Sequence, residues 1–110
     1  MAAVKKITSI EEFQEFVGDS SSLHVLKIGA NWCGPCRVLE GTLLGLTQEE
    51  VEGVSLAEVN ADDEWFEDKA VELKVRGIPV LIAFKGGEEV DRLTGNVQKD
   101  NIISWFGRIK

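Results

Sequence analysis

Trp32-Cys33-Gly34-Pro35-Cys36 follows the apolar run Val25-Leu26-Lys27-Ile28 and precedes a helical pattern. The run is short and mostly apolar, which reads as a strand buried on both faces. Gly34 and Pro35 punctuate the chain, and the pattern from Arg37 to about Leu46 predicts a helix carrying Val38, Leu39, Leu43 and Leu46. A Cys-X-X-Cys at such a strand-to-helix junction sets the first sulfur at the helix N-terminus. Unpaired backbone N–H groups and the positive end of the helix dipole face it there. Both favour thiolate over thiol, and the thiolate is the nucleophile. The two-residue spacer lets Cys36 reach back and close a small disulfide with Cys33. A structural staple gains more by closing a longer loop, so this spacing suits a dithiol that cycles between two states. A lone Cys-X-X-Cys also fits half of a zinc site. Here the motif holds both cysteines of the chain and the one histidine is His24, which leaves nothing for a four-ligand zinc site.

Bulk properties narrow the class. A length of 110 residues predicts one domain, residues 1–110, large enough for a core. The net charge of −7 argues against nonspecific nucleic-acid binding and against anionic membrane surfaces. No run reaches the ~18 apolar residues of a membrane helix. Met1-Ala2-Ala3-Val4-Lys5-Lys6 lacks an apolar h-region, so no signal peptide is visible and a cytoplasmic location is expected.

Outward from the motif, the upstream chain predicts a strand over residues 4–8 and a helix from Ile10 to about Gly18. Ser9-Ile10-Glu11-Glu12 forms its capping box, and Ile10, Phe13, Phe16 and Val17 share one face. Asp19 to Ser22 reads as a loop, and His24, at the start of the next strand, as a surface residue. In the motif helix, Gly41 implies a soft bend or close packing against a neighbour. Downstream, Val54 to Asn60 reads as a third strand. The acids Asp62, Asp63 and Glu64 open a third helix that runs to about Lys74, where the dipole favours them. Val80 to Lys85 and Glu88 to Thr94 pair through a Gly86-Gly87 turn. A helix over 98–108 closes the chain, burying Ile102, Ile103, Phe106 and Ile109 with Trp105 flanking that stripe. The order of elements fits an α/β mixed sheet with helices on both faces.

Ala30-Asn31-Trp32-Cys33-Gly34-Pro35-Cys36-Arg37 resembles the active site of thioredoxin. Val75-Arg76-Gly77-Ile78-Pro79 resembles that family's second signature, with a cis-proline facing the cysteines, and Gly95 resembles the glycine that completes its substrate groove. The resemblance spans nearly the whole chain. It implies the thioredoxin fold, about five strands in a central mixed sheet flanked by about four helices, and a protein-disulfide reductase. Cys33 would be the attacking thiolate and Cys36 the resolving thiol, joined in a redox-active disulfide when oxidised. Trp32, Gly34, Pro35, Ile78, Pro79 and Gly95 would form the substrate-binding surface, with the Ile78 backbone pairing with an extended substrate strand. The resemblance further implies no bound cofactor, electrons from a flavin-containing thioredoxin reductase, oxidised proteins as substrates, and a monomer. A client-specific electron donor and a thioredoxin-fold scaffold subunit are the alternatives.

Three positions depart from that family pattern. Thioredoxins usually carry a buried aspartate six residues before the first cysteine, and this chain has Lys27. On the third strand, where they tend to carry lysine, it has Glu58. If the two strands are neighbours, Lys27 and Glu58 meet beneath the cysteines, because an unpaired lysine on a strand buried on both faces would be costly. Such a pair is a candidate for acid–base assistance to the thiols. Gly29 stands where many thioredoxins have tryptophan, which predicts a small hollow beside Cys33. The stretch from Asp62 to Arg76 is two residues longer than the family pattern, and Trp65 in it either widens a partner-contact surface or, with Phe66, caps the core.

Overall fold

The strand that feeds the cysteine motif is buried along its whole length in the computed structural model, which describes residues 1–110. This strand, β2 (Leu23–Gly29), lies at the centre of a five-stranded sheet. The other strands are β1 (Val4–Lys6), β3 (Val54–Asn60), β4 (Val80–Lys85) and β5 (Glu88–Thr94), and the order is β1-β3-β2-β4-β5. β1, β3 and β2 run parallel, while β4 is antiparallel to β2 and to β5. The helices are α1 (Ile10–Gly18), α2 (Gly34–Leu44), α3 (Glu67–Glu72) and α4 (Lys99–Ile109). Helices on both faces explain why the central strands read as continuous apolar runs.

Alternation along the strands divides the core in two. Leu23 and Val25 of β2, with Leu81 and Ala83 of β4, pack with Leu39 and Leu43 of α2 and with Ile102, Trp105 and Phe106 of α4. Leu26 and Ile28, with Val80, Ile82 and Phe84, pack with Phe13 and Phe16 of α1 and with Phe66. Lys27 and Gly29 alternate with the second set. They therefore lie on the sheet face that α2 covers, and so does Glu58, which pairs with Lys27 across the β2–β3 register.

Several boundaries and environments differ from the expectations. β1 ends at Lys6 rather than residue 8, although the Ile7 N–H still donates to the Glu58 carbonyl at 3.0 Å. At α1 the Ser9 hydroxyl accepts from the Glu12 N–H at 3.2 Å, as a capping box requires. The Glu12 carboxylate returns the bond to the N–H and hydroxyl of Thr8, one residue further out. α2 begins at Gly34, three residues before Arg37, because Cys33 itself caps it. It runs on through Gly41, where an added Cβ would meet nothing within 4 Å, so close packing does not explain that glycine. Gly45 is the C-cap.

The third helical segment opens with a 3-10 turn, Glu64–Phe66, before α3. α3 ends in a Schellman motif: Val75 N–H donates to the Ala70 carbonyl at 2.9 Å and Lys74 N–H to that of Val71 at 3.0 Å, with Lys74 at φ 57°. Arg92 Nη2 on β5 donates to the Leu73 carbonyl at 2.7 Å and fixes where the chain leaves α3 toward Pro79. Gly86 and Gly87, at φ 61° and 86°, supply the two positive φ values of a tight hairpin turn.

His24 is buried, contrary to the expectation of a surface site. It is 3% exposed, with its ring edge-on to Phe16 at 4.8 Å and Nδ1 3.0 Å from the Ser22 carbonyl. Trp65 is half-buried against Phe13 and Phe66, with its indole N–H donated to Asp63, so it caps the core and does not widen an outer surface. Trp105 is the centre of the α4 stripe rather than its flank: it is fully buried, whereas Ile103 and Ile109 are half-buried.

The Trp105 indole N–H donates to Asp91 Oδ2 at 2.7 Å, across to β5. This bond, helped by the Arg92 backbone N–H, holds the Asp91 carboxyl below the ordinary carboxylate range. A group depressed by folding stabilises the fold above its unfolded pKa and loses that contribution as pH falls through the folded value. Asp91→Asn is therefore expected to lower Tm at neutral pH, to converge with the wild type below about pH 4, and so to flatten the acid limb. Thermal melts from pH 7 to 2 check this, and parallel wild-type and variant curves would contradict it.

Candidate active site

Cys33 and Cys36 are joined as a disulfide, with Cα atoms 5.3 Å apart. Cys33 is the N-cap of α2: its backbone is extended, and its sulfur accepts the Cys36 N–H at 3.2 Å. The N-cap sulfur thus takes the place usually held by a serine or aspartate oxygen, where helix N–H groups converge. Pro35 supports the start of the helix, since its missing N–H costs nothing in the first turn. Cys33 is 6% exposed and Cys36 1%, so Cys33 lies toward the outside of the pair. Ala30 clusters with both cysteines, and Ile78 packs against that cluster.

Around the pair, Gly34 and Pro35 are exposed and Trp32 is 72% exposed. An indole this bare is unusual for a side chain of its size. Its Nε1 donates to Asp62 Oδ2 at 2.7 Å, which fixes the ring. Asp62 is itself positioned by an Asx turn, its N–H donating to Asn60 Oδ1 at 2.9 Å. From sequence alone, Asp62 reads only as an acid at a helix N-terminus. The Ile78–Pro79 peptide is cis, and the Gly95 N–H donates to the Pro79 carbonyl at 2.8 Å. That bond brings Gly95 to the Ile78–Pro79 segment although fifteen residues separate the two in sequence.

Behind the disulfide, Lys27 is 5% exposed, with Nζ 3.4 Å from Glu58 Oε2. A third member, missed in the sequence, joins them: Glu40 Oε2 of α2 lies 3.6 Å from the same nitrogen. Its signal was present, since Glu40 follows Cys36 by four residues and so shares its helix face. These groups line an open cleft of about 500 Å³ with Cys36, Gly29 and Asn60. Gly29 abuts Cys36 and not the expected hollow beside Cys33. A Cβ there would lie 3.1 Å from Cys36 Sγ and 3.4 Å from Lys27 Cε. Those two atoms therefore flank one point, separated by no more than the sum of the two distances.

Residues 4–108 match the family model for thioredoxin. The chain belongs to the thioredoxin family. A thioredoxin of Chlamydia caviae is 40% identical over 98 residues, covering 89% of this chain and 91% of that one. The mitochondrial thioredoxin of Mus musculus is 31% identical over 98 residues, 58% of its length. The X-ray structure of Fasciola hepatica thioredoxin superposes with a TM-score of 0.83 at 26% identity, over 97% of this chain and 100% of that one. Thioredoxins are thiol–disulfide oxidoreductases, and the paired sulfurs of Cys33 and Cys36 are arranged for dithiol–disulfide exchange. No helix is long and apolar enough to cross a membrane.

Proposed function

We propose that this single-domain thioredoxin, acting as a monomer in the cytoplasm, reduces disulfides of other proteins. Its oxidised form would be recycled by a flavin-containing thioredoxin reductase, with no resident cofactor. The observation that carries this reading is the Cys33 sulfur at the N-terminus of α2, outside a nearly inaccessible Cys36. The Cys33 thiolate attacks a substrate disulfide, one substrate sulfur leaves as a thiolate, and a mixed disulfide forms. The Cys36 thiol then loses its proton and attacks Cys33. The second substrate thiolate leaves, and the substrate is reduced by two electrons. Trp32, Gly34 and Pro35 offer an exposed face, and Ile78, Pro79 and Gly95 a backbone edge on which an extended substrate strand lies. Lys27 and Glu58 act from behind, Lys27 favouring thiolate character in the reduced pair.

The reduction potential of the couple tests this reading. Equilibration with glutathione is expected to give a value more reducing than the glutathione poise of about −220 to −260 mV. A value well above that poise would make the protein an oxidant of thiols and overturn the reading. Lys27→Met removes the cation that stabilises the reduced pair and leaves Glu40 and Glu58 unneutralised. The potential is therefore expected to become more negative, by on the order of 30 mV, or tenfold in the two-electron equilibrium constant. An unchanged potential would remove Lys27 from the site.

A further inference from the structure

Lys27 places one positive charge between two carboxylates, so one negative charge is left over. Glu58 takes the hydrogen bond of the ammonium. It lies in register on the adjacent strand, with its side chain 16% exposed. Glu40 is 47% exposed and opens to solvent from the helix face it shares with Cys36. The other charged groups of the cleft are Lys6, Arg37 and Asp63. Lys6 and Arg37 are exposed, and Asp63 accepts the Trp65 indole N–H. Glu40 is thus the carboxylate that combines a shared cleft with Cys36, contact with Lys27 and an outlet to bulk water.

Cys36 is nearly closed to solvent, so a proton that it carries into the resolving step needs a base within the cleft to take it. The Lys27 ammonium has three donors and no lone pair, so it cannot take the proton. Building on the exchange reading above, we propose that Glu40 accepts the Cys36 proton, through water in the cleft, and releases it to bulk solvent. In the mixed disulfide the proton leaves Cys36 for the Glu40 carboxylate. The Cys36 thiolate forms a bond to the Cys33 sulfur, the bond between Cys33 and the substrate sulfur breaks, and the substrate thiolate departs with that electron pair. Lys27 holds the Glu40 carboxylate over the cleft and steadies the thiolate as it forms.

The experiment mixes the reduced protein with an aromatic disulfide that releases a coloured thiolate, once for the Cys33 attack and once for the Cys36 attack. Glu40→Gln is expected to leave the first release within about twofold and to slow the second about tenfold at pH 7, moving its rise with pH to higher pH. Glu40→Asp, which restores the carboxylate, is expected to recover most of the rate. An unchanged second release in Glu40→Gln overturns the proposal. So does equal slowing of both releases, which would mark a structural effect. Glu58→Gln separates the layers. If it slows the second release while Glu40→Gln does not, the base is Glu58 and the exchange reading stands. Failure of the wild-type protein to release the second thiolate would sink that reading itself.

Discussion

Cys36→Ser is expected to reduce turnover with a protein-disulfide substrate by on the order of 10⁴-fold while leaving the first attack intact. The variant should accumulate as a covalent complex with its substrate, visible by non-reducing electrophoresis and by intact mass, and released by an added dithiol. The reason lies in the division of labour between the sulfurs. Cys33 meets substrate at the helix N-terminus, while the buried Cys36 can act only on Cys33. Serine at position 36 keeps the backbone N–H that Cys33 accepts, and it fills nearly the same volume. The nucleophile therefore stays activated when its exit is removed. Cys33→Ser should instead abolish both attack and capture. It should fold normally, because serine is a preferred N-cap and retains the bond to the position-36 N–H. A Cys36→Ser variant that turned over at the wild-type rate would mean that a second substrate thiol resolves the intermediate.

Much of this site was legible because its chemistry is local. The Cys-Gly-Pro-Cys spacing, the strand before it and the helix after it lie within one continuous stretch, and short-range sterics and capping set their relation. The hairpin at Gly86-Gly87 is local in the same sense. Lys27 opposite Glu58 needed one assumption beyond this, that β2 and β3 are neighbours, and the parallel register supplies it. The features that are not legible in the sequence depend on packing between distant elements. His24 reads as polar at a strand end. Yet β2 is the central strand and α1 covers that face, so Phe16 buries it. Trp105 sits at the side of a stripe drawn by periodicity, because a helical wheel does not reveal that Asp91 on β5 offers its indole a partner. Asp62 meets Trp32 across two loops. Glu40 gains its meaning only when α2 is laid over Lys27, an event no window of sequence contains.

Trp105→Ala is expected to cost about 3–5 kcal/mol, the range for truncating a fully buried large aromatic. For a chain of this size that lowers Tm by on the order of 15 °C or more. Three observations set the magnitude. The residue has no exposed surface, it lies among Ile102, Phe106, Leu81 and Ala83 in the core shared by α2 and α4, and its N–H is satisfied by Asp91. The cavity left behind would lie between a helix and the central sheet, two elements that cannot close over it without breaking strand pairing. Trp105→Phe separates the contributions: it keeps an aromatic body beside Phe106 and removes the indole N–H. Its loss at neutral pH is expected to be about 1–2 kcal/mol, and its acid limb should flatten in the same direction as that of Asp91→Asn, because one change removes the carboxyl's indole donor and the other removes the carboxyl itself. Denaturant unfolding at pH 7 and at pH 3 reads both quantities. A loss under about 1 kcal/mol for Trp105→Ala would place the closing helix outside the core. In that case the sheet and α2 alone would hold the cysteines in place.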